Sequence, residues 1–350
     1  MALFKWIVCS SVMASILIVL LVSLKFVLKN KLRASWHHAI WILVVLKLLI
    51  PFGPESQLSI YNIFNLTDNR ITAESYNVIN TISTATNNIA KSTPIPVNFN
   101  SHKITYAKNV PSRDDSVYLS VFGLIIWIIG AIAVLVYLIR NNSRIIHKIK
   151  IGEVIQNKQL NEYLHECTNK LHIKRKIIPR SVSGLNTPAL YGINGQTLLI
   201  PESMLNEKSF WILRYSIYHE LAHHKRKDIQ FNVFVSFLLV IHWFNPIVWF
   251  GFNKMRQDSE LACDELALSC IRPQEHKNYG LALLEVAKRQ SKSLSFANAV
   301  CFLNSSSNLK RRLSLIASYS TKKYNSKFIV GFMFLALCII ALTNAVESIM

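Results

Sequence analysis

The stretch His219–Phe252, HELAHHKRKDIQFNVFVSFLLVIHWFNPIVWFGF, sets a metal-binding pattern directly against a long apolar run, and its reading decides the fold. His219 and His223 are four residues apart, with Glu220 following the first. On a helix, two residues at this spacing differ by about 40° in direction and about one turn in height, so both imidazoles reach one ion. Glu220 flanks that face, where it can hold and deprotonate a zinc-bound water. The apolar run Ile229–Phe252 is long enough to cross a bilayer. Crossing, however, would strand the next acids on the far side from the histidines, and one ion cannot be shared that way. The run is also interrupted by His242 and by Asn245-Pro246, where the residue before proline is pushed out of helical geometry. It reads as a re-entrant or interfacial helical hairpin, residues 229–252, that leaves and returns on the same face of the membrane.

A catalytic zinc takes a third protein ligand and keeps a fourth position open. Asp228, nine residues past His219, falls on about the opposite side of an unbroken helix and reads as an orienting or helix-ending residue. Downstream, DSELACDELAL (Asp258–Leu268) puts Glu260 and Asp264 one turn apart on a second helix. That pair offers a ligand together with a neighbour able to orient the site.

The surrounding chain is that of a membrane protein. Of its 350 residues, 51% are apolar and 17% charged, and the apolar share is gathered into runs of bilayer length. Phe4–Leu28, Ala34–Phe52, Val117–Leu138 and Phe328–Ala345 make four expected transmembrane helices. The spacer between the first two carries Lys29, Lys31 and Arg33 with no acid, which assigns it to the cytoplasm. The loop 53–116 holds five basic and five acidic residues among many Asn, Ser and Thr, and suits export. Residues 140–327 hold 28 Lys or Arg against 13 Asp or Glu, most of the net charge of +20, and belong inside. Both termini then face outside.

The fold class expected is mainly α: three transmembrane helices in 1–139, a cytoplasmic α+β gluzincin-like zinc metallopeptidase domain in 140–327, and a fourth helix with a short tail in 328–350. The basic excess lies beside apolar spans and has no aromatic-interleaved stripe, helix-turn-helix signal or zinc-finger spacing. It points to anionic lipid, and no nucleic-acid partner is expected. The six cysteines form no C-x-x-C pair and none lies in the exported loop, so no disulfide framework is expected.

TPALYGINGQTLLIP (Thr187–Pro201), HELAHHKRKD (His219–Asp228), WFNPIVW (Trp243–Trp249) and DSELACDE (Asp258–Glu265) occur in this order. In that combination the chain resembles the BlaR/MecR-type β-lactam sensor-transducer metallopeptidases over essentially its whole length. The resemblance implies that His219, His223 and Glu260 bind Zn2+ and that Glu220 is the general base. It also implies that the protein relays an external antibiotic signal by cleaving itself, a cytoplasmic transcriptional repressor, or both. The sensor members carry a penicillin-binding domain after the last span, with S-x-x-K chemistry. SNLK (Ser307–Lys310) and STKK (Ser320–Lys323) match that pattern by chance, before the last span, and no direct reaction with a β-lactam is expected.

Two segments keep two readings each. Asn194-Gly195 followed by Thr197–Ile200 reads as a hairpin, serving either as an edge for a substrate strand or as a buttress for the catalytic helix. The basic cluster NLKRRLSLI (Asn308–Ile316) meets anionic lipid or, by the resemblance, belongs to a self-cleavage region from Cys301 to Arg311 and Arg312. Homo-oligomerisation stays open. Against the signalling protease stand a housekeeping or CAAX-type membrane zinc protease, which would degrade many membrane substrates, and a non-catalytic membrane adaptor, which would work without zinc.

Overall fold

A computed structural model describes residues 2–27, 33–50, 56, 59, 113–192, 196–291, 299–319 and 343. The run 328–345 expected as the last span lies outside the described residues, apart from Thr343, as does almost all of the loop 53–116. The turn at Asn194-Gly195 also lies outside them.

The described chain is mainly helical with one small sheet. Helix α1 is Ala2–Val27, α2 Ala34–Ala39, α3 Ile42–Leu49 and α4 Arg113–Ile151. Strand β1 (Glu153–Val154) and helix α5 (Lys158–Lys170) precede β2 (Ile178–Val182), β3 (Ala189–Tyr191) and β4 (Thr197–Pro201). Then come α6 (Phe210–Arg226), α7 (Asp228–Ile241), α8 (Pro246–Cys270), α9 (His276–Ser291) and α10 (Ala299–Ser318). The sheet order is β1-β2-β4-β3, with β2 and β4 parallel and the other two pairs antiparallel. The expected hairpin is β3–β4, with Leu190 opposite Leu198.

Among the described residues, two helices are long and apolar enough to cross a membrane, Trp6–Phe26 in α1 and Val121–Arg140 in α4. The second run expected to span instead breaks at Ile40-Trp41 into α2 and α3. Hydrogen bonds from Trp41 N to His38 O and from Leu43 N to Ile40 O tighten the chain there into a 3₁₀ turn. The break sits where Trp41, wholly buried, donates Nε1–H to Asp258 at 2.8 Å.

The apolar run after the histidine motif is two helices. Helix α7 ends at Ile241, and α8 starts at Pro246 with Asn245 as its N-cap, accepting from Ile247 N and Val248 N. Pro at the first helical position costs no bond, because that N–H has no partner in a helix anyway. The turn satisfies its backbone with side chains: Trp127 Nε1 donates to Ile241 O, and Trp249 Nε1 to Trp243 O. Trp243 Nε1 in turn donates to Trp127 O on α4. Gly130 makes room for this docking, since a Cβ there would overlap the Trp243 indole.

Helix α8 runs in the same direction as α1, and three contacts set the register. Asn245 Nδ2 donates to Ser11 Oγ and Ser15 Oγ, both at 2.7 Å, Gly251 packs on Ile18, and Asp258 meets Lys25 at 2.7 Å. The α7–α8 turn therefore lies about 20 Å of helix away from Lys25. One apolar core joins Leu17, Ile18 and Leu21 of α1 to Val44 and Leu48 of α3, Leu238 of α7 and Phe252 of α8. A second joins Leu160 of α5, Leu198 of β4, Ile217 and Leu221 of α6, Leu268 of α8 and Ala282 of α9. Helix α8 contributes to both, so it carries position from one to the other.

Where the two meet, Asp258 is 3% exposed and accepts from Lys25, Trp41 and Arg311. Asp258→Ala leaves Lys25 buried without its counter-charge, at a cost of about 3–5 kcal/mol. The thermal midpoint of the detergent-solubilised protein should fall accordingly, and an unchanged midpoint contradicts the anchoring role.

Candidate metal centre

Helix α6 places His219, Glu220 and His223 because its opposite face is locked in the core: Ile217, Tyr218, Leu221 and Ala222 are all fully buried. The two imidazoles stand 4.9 Å apart between centroids, at 88° to each other. Their Nε2 atoms converge on Glu260 of α8: His219 Nε2 is 3.3 Å from Oε2 and His223 Nε2 is 3.6 Å from Oε1. Atoms bound tetrahedrally to zinc at 2.0–2.1 Å lie about 3.3–3.5 Å apart, so this donor set fits such an ion with little adjustment.

Each Nδ1 faces a buried carboxylate. His223 Nδ1 is 2.9 Å from Asp228 Oδ2, and His219 Nδ1 is 3.1 Å from Asp264 Oδ1. Donating Nδ1–H to an acid sets the tautomer and leaves Nε2 as an electron-pair donor, the arrangement that orients histidine metal ligands. Asp228 also accepts from Ser259 Oγ at 2.9 Å and Arg226 Nε at 3.2 Å. Asp264 accepts from Tyr279 OH at 2.7 Å.

Asp228 was expected to orient the site or to end the helix, and the structure places it just past the end of α6, 2.9 Å from His223 Nδ1. The break comes at Lys227, whose φ of 61° and ψ of 32° are left-handed geometry that ends α6 and turns Asp228 back beneath His223, where an unbroken helix would have put it on the opposite side. A second possible metal-binding group, His223, Asp228 and Cys263, shares this inner side. Its acid is already bonded to Ser259 and Arg226, and its imidazole atom is the Nδ1.

Glu220 lines a cleft of about 490 Å³ together with Thr187, Ser216, Leu283, Val286 and Leu309. Its Oε2 accepts from Leu190 N of β3 at 3.2 Å, which ties the general-base candidate to the outer strand of the sheet. Arg312 of α10 also enters the site, with Nη1 3.0 Å from Glu260 Oε2 and Nε 2.6 Å from Asp264 Oδ2. Nothing in the local sequence around Arg312 signalled this, since its partners lie some fifty residues upstream. The one available sign was that two acids one turn apart, one of them buried, need a cation. Of the segment expected as a self-cleavage region, Arg311 is paired with Asp258 at 2.9 Å, and Cys301, Arg311 and Arg312 all belong to helix α10.

The charges lock together. Burial pushes the Glu260 carboxyl up, but Arg312 and the two histidines override it and hold the pKa near 2, lowered to about 2. Burial and Arg312 push His219 down, yet its bonds to Asp264 and Glu260 raise it to about 10. Asp264 and Asp228 are held well below the usual carboxylate range, against burial, by Arg312 and by His223 respectively. Burial in the cleft raises Glu220, against the pull of His223 and His219. At neutral pH the metal-free His219 therefore carries a proton that an incoming ion must displace. Zinc added to the protein in weak buffer at pH 7 should release about one proton per ion bound, and its affinity should climb as pH rises toward the His219 pKa. Calorimetry in buffers of different ionisation enthalpy checks this, and proton-independent binding contradicts it.

The family model described as BlaR1 peptidase M56 matches residues 5–316. The chain is 28% identical over 328 residues to the methicillin resistance mecR1 protein of Staphylococcus aureus Mu50, covering 92% of this chain and 53% of that one. It is 22% identical over 314 residues to the regulatory protein BlaR1 of Bacillus licheniformis, covering 89% of this chain and 50% of that one. The chain spans about half the length of the curated relatives it matches. With that family model covering both the histidine helix and the helix bearing Glu260, the chain belongs to the BlaR1 peptidase M56 family.

Proposed function

We propose that the protein is a membrane-embedded zinc endopeptidase that hydrolyses itself, a cytoplasmic transcriptional repressor, or both, and so controls antibiotic-resistance genes. The observation that carries the reading is the convergence of His219 Nε2, His223 Nε2 and the Glu260 carboxylate, with both Nδ1 atoms backed by acids. The regulatory and methicillin-resistance names of the relatives support the signalling part. A zinc ion held by His219, His223 and Glu260 would polarise the scissile carbonyl and stabilise the charge that develops on its oxygen. Glu220 takes a proton from the attacking water and passes it to the leaving amine. Its raised pKa suits both halves of that transfer. A substrate strand added along β3, the outer strand beside Glu220, would bring its backbone across the cleft.

The α7–α8 hairpin is read as re-entrant. It enters beside α1, turns level with Ser11 and Ser15, and returns Glu260 to the end of α1 where it began. Its turn is broken backbone at apolar depth, of the kind a bilayer tolerates where side chains supply the missing hydrogen bonds, as Trp127 and Trp249 do. Four spans, with both termini outside and 140–327 inside, complete the topology.

Two experiments test this. Glu220→Gln should keep its zinc and lose roughly 10²–10⁴-fold in turnover, whereas Glu260→Gln should lose zinc as well. Metal analysis beside fragment mapping after co-expression with a candidate repressor separates the two, and wild-type cleavage by Glu220→Gln refutes the protease reading. Single cysteines placed at Lys225 and Asn253 should both escape an impermeant reagent applied outside intact cells. Labelling of only one would refute the hairpin.

A further inference from the structure

We propose that Arg312 is the positioning residue of the metal centre, tying Glu260, the carboxylate that faces both Nε2 atoms, to Asp264, the carboxylate behind His219. The inference rests on the reading of His219, His223 and Glu260 as metal ligands. Glu260 has three close polar contacts among the described residues: His219 Nε2, His223 Nε2 and Arg312 Nη1. The first two are made by atoms that an ion would take over as ligands. Arg312 is the contact that remains to hold the carboxylate in the one orientation that faces the histidines.

The guanidinium suits this role by its shape. It grips Asp264 with two parallel bonds, Nε to Oδ2 at 2.6 Å and Nη2 to Oδ1 at 2.8 Å, and turns its third nitrogen, Nη1, to Glu260. A rigid planar fork thus sets the spacing between two acids one turn apart on α8, which a lysine ammonium cannot do at both. Arg312 is placed by its own helix, whose Ile316 is buried in the core and whose Arg311 is paired with Asp258. The charge balance points the same way. Glu220, Asp228, Glu260 and Asp264 against one divalent ion and neutral imidazoles leave two negative charges, and Arg226 and Arg312 supply two positive ones. The basic cluster of α10 therefore contributes a wall of the site as well as a surface for lipid.

The test is zinc affinity of the full chain in detergent, measured by competition with a chromophoric chelator. Arg312→Ala should bind zinc about 10–100-fold more weakly. Arg312→Lys should recover only part of the loss, and Lys310→Ala, at an exposed position of the same helix, should keep wild-type affinity. At saturating zinc, Arg312→Ala should lower kcat with little change in KM for a peptide substrate. A folded Arg312→Ala protein with wild-type affinity overturns the proposal, and so does Arg312→Lys at full affinity, which answers the case where the alanine variant does not fold. Unchanged affinity with a raised KM would make Arg312 a substrate contact instead and also overturns it. A wild-type chain that binds no zinc removes the metal-site reading itself, an outcome distinct from these.

Discussion

Three aspartates with almost no exposure to solvent set the terms for the rest of the molecule. Asp228 and Asp258 are 3% exposed and Asp264 is fully buried. An ionised carboxylate removed from water is tolerated only when cations and hydrogen-bond donors surround it. Each of the three recruits a different part of the chain for that purpose. Asp228 gathers His223, Arg226, Ser259 and Cys263; Asp264 gathers His219, Tyr279 and Arg312; Asp258 gathers Lys25, Trp41 and Arg311. The first two aim the imidazoles, and the third fastens the apolar helices to the same scaffold.

Helix α8 is where these demands meet. Asp258 leaves it toward α1, and Glu260 and Asp264 leave it toward His219 and Arg312, while Val248 and Phe252 pack among the apolar helices and Ala267 and Leu268 pack beneath the histidine helix. Because one rigid helix serves both regions, the position of Glu260 is tied to the position of α1 through the Lys25–Asp258 pair. The α7–α8 turn, hydrogen-bonded by indoles from α4 and from its own helices, returns that helix to the histidines. On the other side, the Leu190 amide of the outer strand holds Glu220 at the cleft, so the sheet fixes Glu220 while the helices fix Glu260 and the two imidazoles.

Much of this was legible in residue order. The pair His219 and His223 with Glu220 between them required only helical geometry, a local property, and the interruption at Asn245-Pro246 required only the restricted backbone around proline. The β3–β4 hairpin likewise followed from a short turn flanked by apolar residues. Glu260 could be singled out as a candidate ligand because family resemblance stood behind it, since an acid on a helix has no local mark of its partners; the fold places it against both imidazoles. Asp228 was read as an orienting or helix-ending residue, but the turn that brings it under His223 was not legible, because nothing in Lys227, a residue that ordinarily avoids left-handed geometry, announces the end of α6.

What the sequence determined by itself, then, is what depends on neighbours within a turn or two: where the chain is mostly helical, where it is apolar, and which face of α6 carries the imidazoles. Tertiary structure alone decided which charges meet. Arg312 reaches Asp264 across 48 residues and Lys25 reaches Asp258 across 233. Ion pairing at such separations leaves no periodicity in the chain. It becomes visible only when folding removes water from the carboxylates and obliges each to find its partner.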